Sequence, residues 1–227
     1  MFEVIFEVQP RTDKWESYLA TGKALRPELE STRGFIANVR YRSLRRPGWI
    51  LSLSDWENEK ALVRWRTASK HHLAQATGRD QILRDYHLRV GEVSLDSDAK
   101  RAAQGMVQTR FDGTEVGNAK VVSLVNAKMT PLDDGGPRRE ADDVVRILQV
   151  ELSEAPGLVE WDAFEAILTP GDVLLMCSWK DQTSAAGFNR SLTGTAAQRT
   201  RQVRVIRNYG MYDRREAPQY YPEVEPR

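Results

Sequence analysis

Residues 34–56 read GFIANVRYRSLRRPGWILSLSDW, and residues 157–179 read GLVEWDAFEAILTPGDVLLMCSW. Each segment opens on a glycine, has a Pro-Gly pair at the same place and ends on a tryptophan. The offset is constant, because 157 − 34 and 179 − 56 both give 123. Since Pro fixes φ and Gly accepts φ > 0, each Pro-Gly pair predicts a tight turn between two strands. The chain therefore contains two copies of one hairpin.

Landmarks farther along the chain recur at the same offset. They are Trp65, Gln75 and the run Arg84-Asp85-Tyr86, which return as Phe188, Gln198 and Arg207-Asn208-Tyr209. One coincident residue would mean little, but a single ungapped offset across this length predicts a duplication of the whole unit.

Within the first copy, the period of the apolar residues identifies the elements. Residues 2–8, FEVIFEV, alternate between apolar and acidic, as in a half-buried strand. Residues 15–30 have helical spacing, and we expect Pro27 to kink or restart that helix. Strands follow at 35–42 and 49–56, then helical spacing from 61 to 76, then a strand from 86 to 93. This order, β-α-β-β-α-β, is that of a ferredoxin-like unit with both helices on one face of an antiparallel sheet.

The second copy has the same pattern, with strands near 121–129, 158–168, 172–179 and 203–212. A four-stranded sheet with helices on one face needs a partner for its bare face. We therefore predict an α+β chain of two tandem ferredoxin-like units packed sheet to sheet as an intrachain dimeric barrel. Each unit is expected to keep a cavity between its sheet and its helices.

Three segments lie outside this pattern. A polar stretch, SLDSDAKRAAQGMVQTRFDGTEVGN, predicts a linker, so we divide the chain into domains 1–104 and 105–227. The loop TPLDDGGPRRE at 130–140 is expected to be disordered. The second domain ends in an extended tail in which Tyr220 and Tyr221 are expected to be at least partly buried.

Composition excludes several classes of function. With 33 Lys and Arg against 32 Asp and Glu, the net charge of +1 attracts neither nucleic acid nor an anionic membrane. Cys177 is the single cysteine, which excludes an internal disulfide and suits a reducing cytoplasm. The sequence has neither a signal-peptide pattern nor a run of 18 apolar residues, so we expect no membrane span.

Residues 52–93, SLSDWENEKALVRWRTASKHHLAQATGRDQILRDYHLRVGEV, resemble the antibiotic biosynthesis monooxygenase (ABM) family. The resemblance lies in the tryptophan that ends strand three, the WR pair, the His and Gln that follow, and the GR and DY before the last strand. It implies a dimeric α+β barrel that binds a small hydrophobic or aromatic molecule. Some members of the family oxidise polycyclic phenols with O₂ and no cofactor, and others cleave haem.

The haem-cleaving branch of the family uses an Asn on strand one, a Trp in helix two and a His ten residues after it. Here Trp65 is in register, but Gln75 stands where that His would be, and strand one of the first half has no Asn. Asn126 lies on strand one of the second half, which has Phe188 in place of the Trp and no histidine. We therefore expect neither haem degradation nor a bound cofactor.

The candidate site residues lie in the first half. His71, His72 and Trp65 are the catalytic candidates, and Trp65, Gln75 and Tyr86 are the candidates for binding substrate. The family pattern favours His71, whereas helical phase favours His72, seven residues after Trp65. The alternatives are core packing for Trp65, solvated surface for a histidine and sheet packing for Tyr86. Adjacent histidines point about 100° apart on a helix, so no metal site is expected.

Arg40 and Arg42 alternate with apolar residues on strand two. A solvated strand face explains both, and only a side chain that faced the cavity would make one of them an anion clamp.

Two functions remain. The first is a cofactor-independent monooxygenase that acts on a small hydrophobic or phenolic molecule, and the alternative is a non-catalytic protein that binds a hydrophobic metabolite. Pairs of chains could further form a homodimer. The second half lacks the Trp and the histidines, which favours a single functional pocket in the first half.

Overall fold

The computed structural model describes residues 1–102, 108–132 and 139–221. The first half comprises β1 (Phe2–Pro10), α1 (Trp15–Ser31), β2 (Phe35–Ser43), β3 (Ile50–Trp56), α2 (Glu59–Thr67), α3 (Ser69–Thr77) and β4 (Leu83–Asp96). A short helix, α4 (Ala99–Ala102), follows β4. The second half comprises β5 (Val121–Lys128), α5 (Ala141–Leu148), β6 (Leu158–Ala166), β7 (Asp172–Trp179), α6 (Gln182–Ser191) and β8 (Arg199–Gly210).

The duplication is confirmed in backbone geometry. Gly34 and its counterpart Gly157 have φ of 86° and 75°, and both accept a hydrogen bond that closes the end of the hairpin, from Glu57 N and Lys180 N at 2.9 Å each. In the two Pro-Gly turns, Gly48 and Gly171 have φ of 80° and 89°. These left-handed conformations are open to glycine at little cost, which explains why the glycines recur in both copies.

The two sheets join into one closed antiparallel barrel in the order β1-β3-β2-β6-β7-β5-β8-β4. Two seams connect the halves: β2 pairs with β6, and β4 pairs with β8. The predicted α+β fold of two tandem ferredoxin-like units is therefore confirmed, with the sheet faces that lack helices turned into the barrel interior. A cluster of buried apolar side chains from both halves fills part of that interior, including Ile5, Leu53, Leu124, Phe164 and Leu174.

The prediction that β1 is only half-buried is wrong. Glu3 and Glu7 are 0% and 2% exposed, because the face of β1 that carries them points into the closed barrel. Arg201 on β8 pairs with Glu3 at 2.6 Å, and Arg89 on β4 pairs with Glu7. Buried carboxylates need such partners, so the polar face of this strand is compatible with burial on both sides.

Two local expectations about helices are corrected. α1 runs through Pro27 without a break between Trp15 and Ser31. The second helical stretch is divided at Ala68, which has an extended backbone with φ −60° and ψ 132° between α2 and α3.

The predicted domain boundary at residues 104 and 105 and most of the loop 130–140 lie outside the described residues. Among the described helices, none is long and apolar enough to cross a membrane.

Candidate functional site

A cavity of about 240 Å³ lies between the sheet and the helices of the first half. Its floor is made of cross-strand rows. In one row Arg40 pairs with Ser52, Ser52 with Phe6, and Phe6 with Leu88. The floor therefore changes from polar on β2 and β3 to apolar on β1 and β4. Helix side chains such as Leu25, Leu29, Leu62 and Trp65 complete the apolar wall.

The break at Ala68 places His71 against the wall of this cavity. Asn58 caps the N-terminus of α2, with its side chain accepting from Ala61 N at 3.0 Å. α2 ends at Thr67, and His71 lies in the first turn of α3, which begins at Ser69. The His71 ring stacks on the ring of Trp65, with centroids 4.1 Å apart and planes 14° apart. Trp65 is only 9% exposed, so the pair presents a flat surface at the cavity.

The hydrogen bonds of His71 fix which ring nitrogen carries the proton. Nδ1 lies 3.0 Å from the carbonyl oxygen of Trp65, which can only accept, so Nδ1 carries the hydrogen and donates. Nε2 is then left as an acceptor, and the side-chain amide nitrogen of Gln75 lies 3.5 Å from it and 3.3 Å from Nδ1. Burial lowers the pKa of His71 to about 4, because it penalises the charged ring more than the Trp65 carbonyl stabilises it. His71 is thus a neutral imidazole at pH 7, with a lone pair free to accept a proton.

His72 lies elsewhere, which corrects the argument from helical phase. It is exposed and stacks on Tyr221 of the C-terminal tail, with ring centroids 5.7 Å apart. It is not among the residues that line the cavity. The phase argument assumed one continuous helix from Trp65 onward, and the extended backbone of Ala68 breaks that continuity.

Gln75 and Tyr86 both line the cavity and are both hydrogen-bonded within the protein. The Gln75 Oε1 accepts from the Tyr221 hydroxyl at 3.0 Å and from the Gln219 amide at 3.1 Å. The Tyr86 hydroxyl accepts from Arg79 at 2.7 Å and from Arg214. Two arginine donors occupy the acceptor sites of that hydroxyl, so its own hydrogen remains available to a ligand.

The C-terminal tail supplies cavity residues that the sequence did not indicate. Arg214, Pro218, Gln219 and Tyr221 all line the cavity. The tail crosses from the second half to the first, and Gln219 also donates to the backbone carbonyl of Arg66 at 3.4 Å. The expectation for its two tyrosines holds for Tyr221, which is half-buried, and is wrong for Tyr220, which is 89% exposed. Successive side chains of an extended segment point in opposite directions, so only one ring can face the body.

Arg40 was expected on a solvated strand face, and it instead lines the cavity. Arg42, two residues on, pairs with Glu165 of β6 at 2.5 Å, across the seam between the halves. Both arginines showed the same sequence signal, alternation with apolar residues along β2. Their different surroundings depend on where each one lies along the paired strands.

Among the described residues of the second half, apolar side chains pack where the counterpart of the first-half helix α2 meets the sheet. Phe188 packs on Trp179 with ring centroids 5.0 Å apart. Both belong to a buried cluster that also contains Val144, Leu148, Val173, Leu175 and Leu192. Phe188 therefore stands at the position of Trp65 and packs on a buried tryptophan of its own half.

Known proteins resemble this chain in sequence. A family model described as antibiotic biosynthesis monooxygenase matches residues 1–77. A protein named jasmonate monooxygenase ABM, from Pyricularia oryzae, is 47% identical over 225 residues, which are 98% of this chain and 99% of that protein.

Solved structures resemble it more distantly. An anthrone oxidase-like protein is 12% identical, with a TM-score of 0.34 and 96% of each chain covered. A monooxygenase-like protein from Listeria innocua is 11% identical, with a TM-score of 0.28, and the match covers 90% of this chain and 94% of that one. The identity to the Pyricularia oryzae protein along nearly the whole length establishes that this chain belongs to the antibiotic biosynthesis monooxygenase family.

Proposed function

We propose that this protein is a monooxygenase that oxidises a small, mostly apolar molecule in the cavity of the first half. One observation carries the proposal: a neutral imidazole, His71, stacked on a buried indole at the wall of a largely apolar cavity. Such a group can remove an acidic proton from a bound molecule, while the apolar wall holds the molecule and keeps water away.

The name of the Pyricularia oryzae relative supports jasmonate as the first substrate to test. Jasmonate is a carboxylate with an apolar cyclopentanone body, and its ring ketone acidifies the neighbouring C–H bonds. The free O–H of Tyr86 supports a role in binding a ketone or phenol oxygen. Phenols remain in the screen, because deprotonation prepares them equally for reaction with O₂.

The proposed reaction balances without an external electron donor: R₂CH₂ + O₂ → R₂C=O + H₂O. His71 Nε2 takes one proton from the methylene, and the resulting carbanion passes electrons to O₂, forming a C–O bond. The peroxide then loses water as its O–O bond breaks, and the imidazolium returns its proton. In this scheme His71 is the base and Trp65 positions the ring of the substrate.

The test is oxygen uptake with jasmonate and a panel of phenols, without added reductant. Adjacent histidines provide a matched pair of variants, since His71 faces the cavity and His72 faces the tail. We expect His71→Ala to lower kcat by about 100-fold or more, the usual range for loss of a general base, and His72→Ala to keep it within about twofold. Trp65→Phe should mainly raise KM. Equal losses in the two histidine variants, or no uptake with any compound, would refute the proposal.

A further inference from the structure

The cavity carries a strong excess of positive side chains. Its lining includes one carboxylate, Glu59, and that carboxylate already pairs with Arg110 outside the lining. The arginines that line the cavity are Arg40, Arg66, Arg79, Arg207 and Arg214. Positive charge concentrated within low-dielectric walls attracts an anion, although the chain as a whole is nearly neutral, at +1.

Arg40 is the arginine placed at the polar end of the cavity floor. Its row runs through Ser52 and Phe6 to Leu88, so polar groups lie on β2 and β3 and apolar groups on β1 and β4. Neighbouring strands lie about 4.8 Å apart, so this row extends roughly 14 Å from Arg40 on β2 to Leu88 on β4. A ligand that is charged at one end and apolar along its body would match this gradient.

The guanidinium of Arg40 lacks a carboxylate partner. Its Nε is buried without a hydrogen-bond partner, and within the described part of the chain no carboxylate lies at ion-pair distance from it. The Tyr18 ring lies beside the guanidinium, with 5.8 Å between the guanidinium carbon and the ring centroid. Arg40 is partly buried, and a partly desolvated guanidinium without a carboxylate partner is a favourable position for the carboxylate of a ligand.

Gly22 of α1 makes the room that this guanidinium occupies. A Cβ at that position would lie 2.2 Å from the Arg40 Nη2 and 2.5 Å from its central carbon, too close for either to stay in place. Glycine within a helix costs stability relative to alanine, so the room for the guanidinium is made at a cost to α1.

We infer that the cavity takes a small monocarboxylate, with its carboxylate on Arg40 and its apolar body over β1 and β4 beneath Trp65. The inference rests on the proposed function in that it concerns the same cavity, and it specifies the substrate class. Arg40 is a binding residue that sets the orientation of the ligand, since a carboxylate held on β2 directs the rest of the molecule toward the apolar strands.

The test is calorimetric titration of the full chain at pH 7.5 with jasmonic acid and with its methyl ester, which has the same apolar body without the charge. We expect the wild type to bind the acid about 10 to 100 times more tightly than the ester, the range for a charge-assisted hydrogen bond. Arg40→Gln should bring the two dissociation constants to within about threefold. Arg84→Gln, at an exposed arginine outside the cavity, should keep the preference for the acid.

A second pair of variants leaves every charge in place. Gly22→Ala should displace the Arg40 guanidinium and reduce the preference for the acid, whereas Gly187→Ala, a helix glycine whose nearest neighbour would be 3.9 Å away, should not. Equal affinity for acid and ester in the wild type, no binding of the acid, or a preference that survives Arg40→Gln would each overturn the inference.

The binding test separates this inference from the proposed function. Acid-selective binding that depends on Arg40, without oxygen uptake by the wild type, would refute the proposed function and still establish Arg40 as the residue that binds the carboxylate. Oxygen uptake that depends on His71 but is equal for acid and ester would support the proposed function and refute the role of Arg40 in binding a carboxylate.

Discussion

His71 combines two properties that are seldom found together in a histidine near the surface of a protein. It is largely removed from water, and its Nδ1 hydrogen is already donated to the Trp65 carbonyl at 3.0 Å. Burial keeps the ring neutral at pH 7 by lowering its pKa, and the hydrogen bond to the Trp65 carbonyl places the hydrogen on Nδ1 and leaves Nε2 as the open position. In the proposed reaction, a base with so low a pKa is weaker than an ordinary histidine, but it is in the proton-accepting state across the whole physiological range.

We predict that His71 titrates with a pKa of about 4, against a reference value of 6.5. Because the folded value is depressed, the unfolded chain binds more protons between pH 4 and 6.5. The stability that depends on His71 is therefore fully present above about pH 6.5 and is lost as the pH falls through 4, by on the order of 3 kcal/mol. NMR titration of the imidazole nitrogens, assigned with His71→Gln, measures it. A midpoint near 6.5 would contradict the buried, neutral ring.

Sequence reasoning named both histidines as candidates and could not tell which of them faces the cavity. Residue spacing gives the direction of a side chain only while the helix is continuous, and Ala68 is extended although alanine is the strongest helix former. The break depends on how α2 and α3 pack on the sheet, a tertiary effect that local patterns do not contain. That Arg40 lines the cavity was not predicted for a related reason. The alternating pattern identified its strand, but the cavity above that strand depends on the position of α1.

At the scale of elements, the C-terminal tail behaves as a strap fastened at two places. Near β8, Glu216 accepts from Thr114 Oγ1 at 2.8 Å and from the backbone nitrogen of Asn208 at 2.6 Å. At the far end, Tyr221 lies over His72 and donates to Gln75. Between these points the strap covers part of the cavity, so a segment of the second half completes the site of the first.

We predict that ending the chain after Asp213 lowers the Tm by roughly 4–8 °C. The truncation removes the Glu216 hydrogen bonds and the Tyr221 contacts, together worth about 2 kcal/mol in a chain of this size. Differential scanning calorimetry measures the change. Tyr220→Ser in the full chain is the matched control, because the 89% exposed ring makes no comparable contact, and it should leave the Tm within about 1 °C. A truncated chain as stable as the full one would mean that the strap is not bound in solution.

At the scale of the whole molecule, ion pairs inside the barrel connect the halves. Arg201 of β8 lies 2.6 Å from Glu3 and 3.2 Å from Asp55, both in the first half. Arg89 of β4 lies 3.1 Å from Glu160 in the second half. Burial raises the pKa of Glu3 to about 7 in spite of the attraction of Arg201. The protonated and the ionised forms of this carboxyl are therefore both populated at physiological pH.

We predict that Arg201→Met destabilises the fold by about 3–5 kcal/mol, because it leaves Glu3 buried without its partner. The loss should be greater at pH 8 than at pH 5: a carboxyl whose folded pKa is raised contributes its stability at low pH and loses it as the pH rises through that pKa. Urea unfolding at both pH values measures it, and the double variant Arg201→Met with Glu3→Leu should recover much of the loss. The surface pair of Arg215 and Asp213 is the control, with Arg215→Met costing less than about 1 kcal/mol. A loss independent of pH would point to packing alone.

Most of the architecture could be predicted from the sequence, because the same pattern of turns and strands occurs in both halves. The glycines with φ of 75° to 89° have a direct backbone reason to recur. The tryptophans that end β3 and β7 are both fully buried side chains of the core. Which sheet edges would join was not readable, since the β2–β6 and β4–β8 seams depend on pairing between strands more than 100 residues apart. For the same reason, the burial of Glu3 and Glu7 could not be foreseen from the alternating pattern of β1.

Encoding both halves of the barrel in one chain changes what a single mutation does. In an assembly of two identical chains, each substitution appears at two places, and a change that opens one ligand space opens its twin and weakens the fold twice. Here Phe188 and Leu192 belong to a buried apolar cluster in one half, while the cavity of the other half is lined by Arg40 and Gly22. A substitution at either cavity residue therefore leaves the packing of Phe188 and Leu192 unchanged, so each half can change without its counterpart.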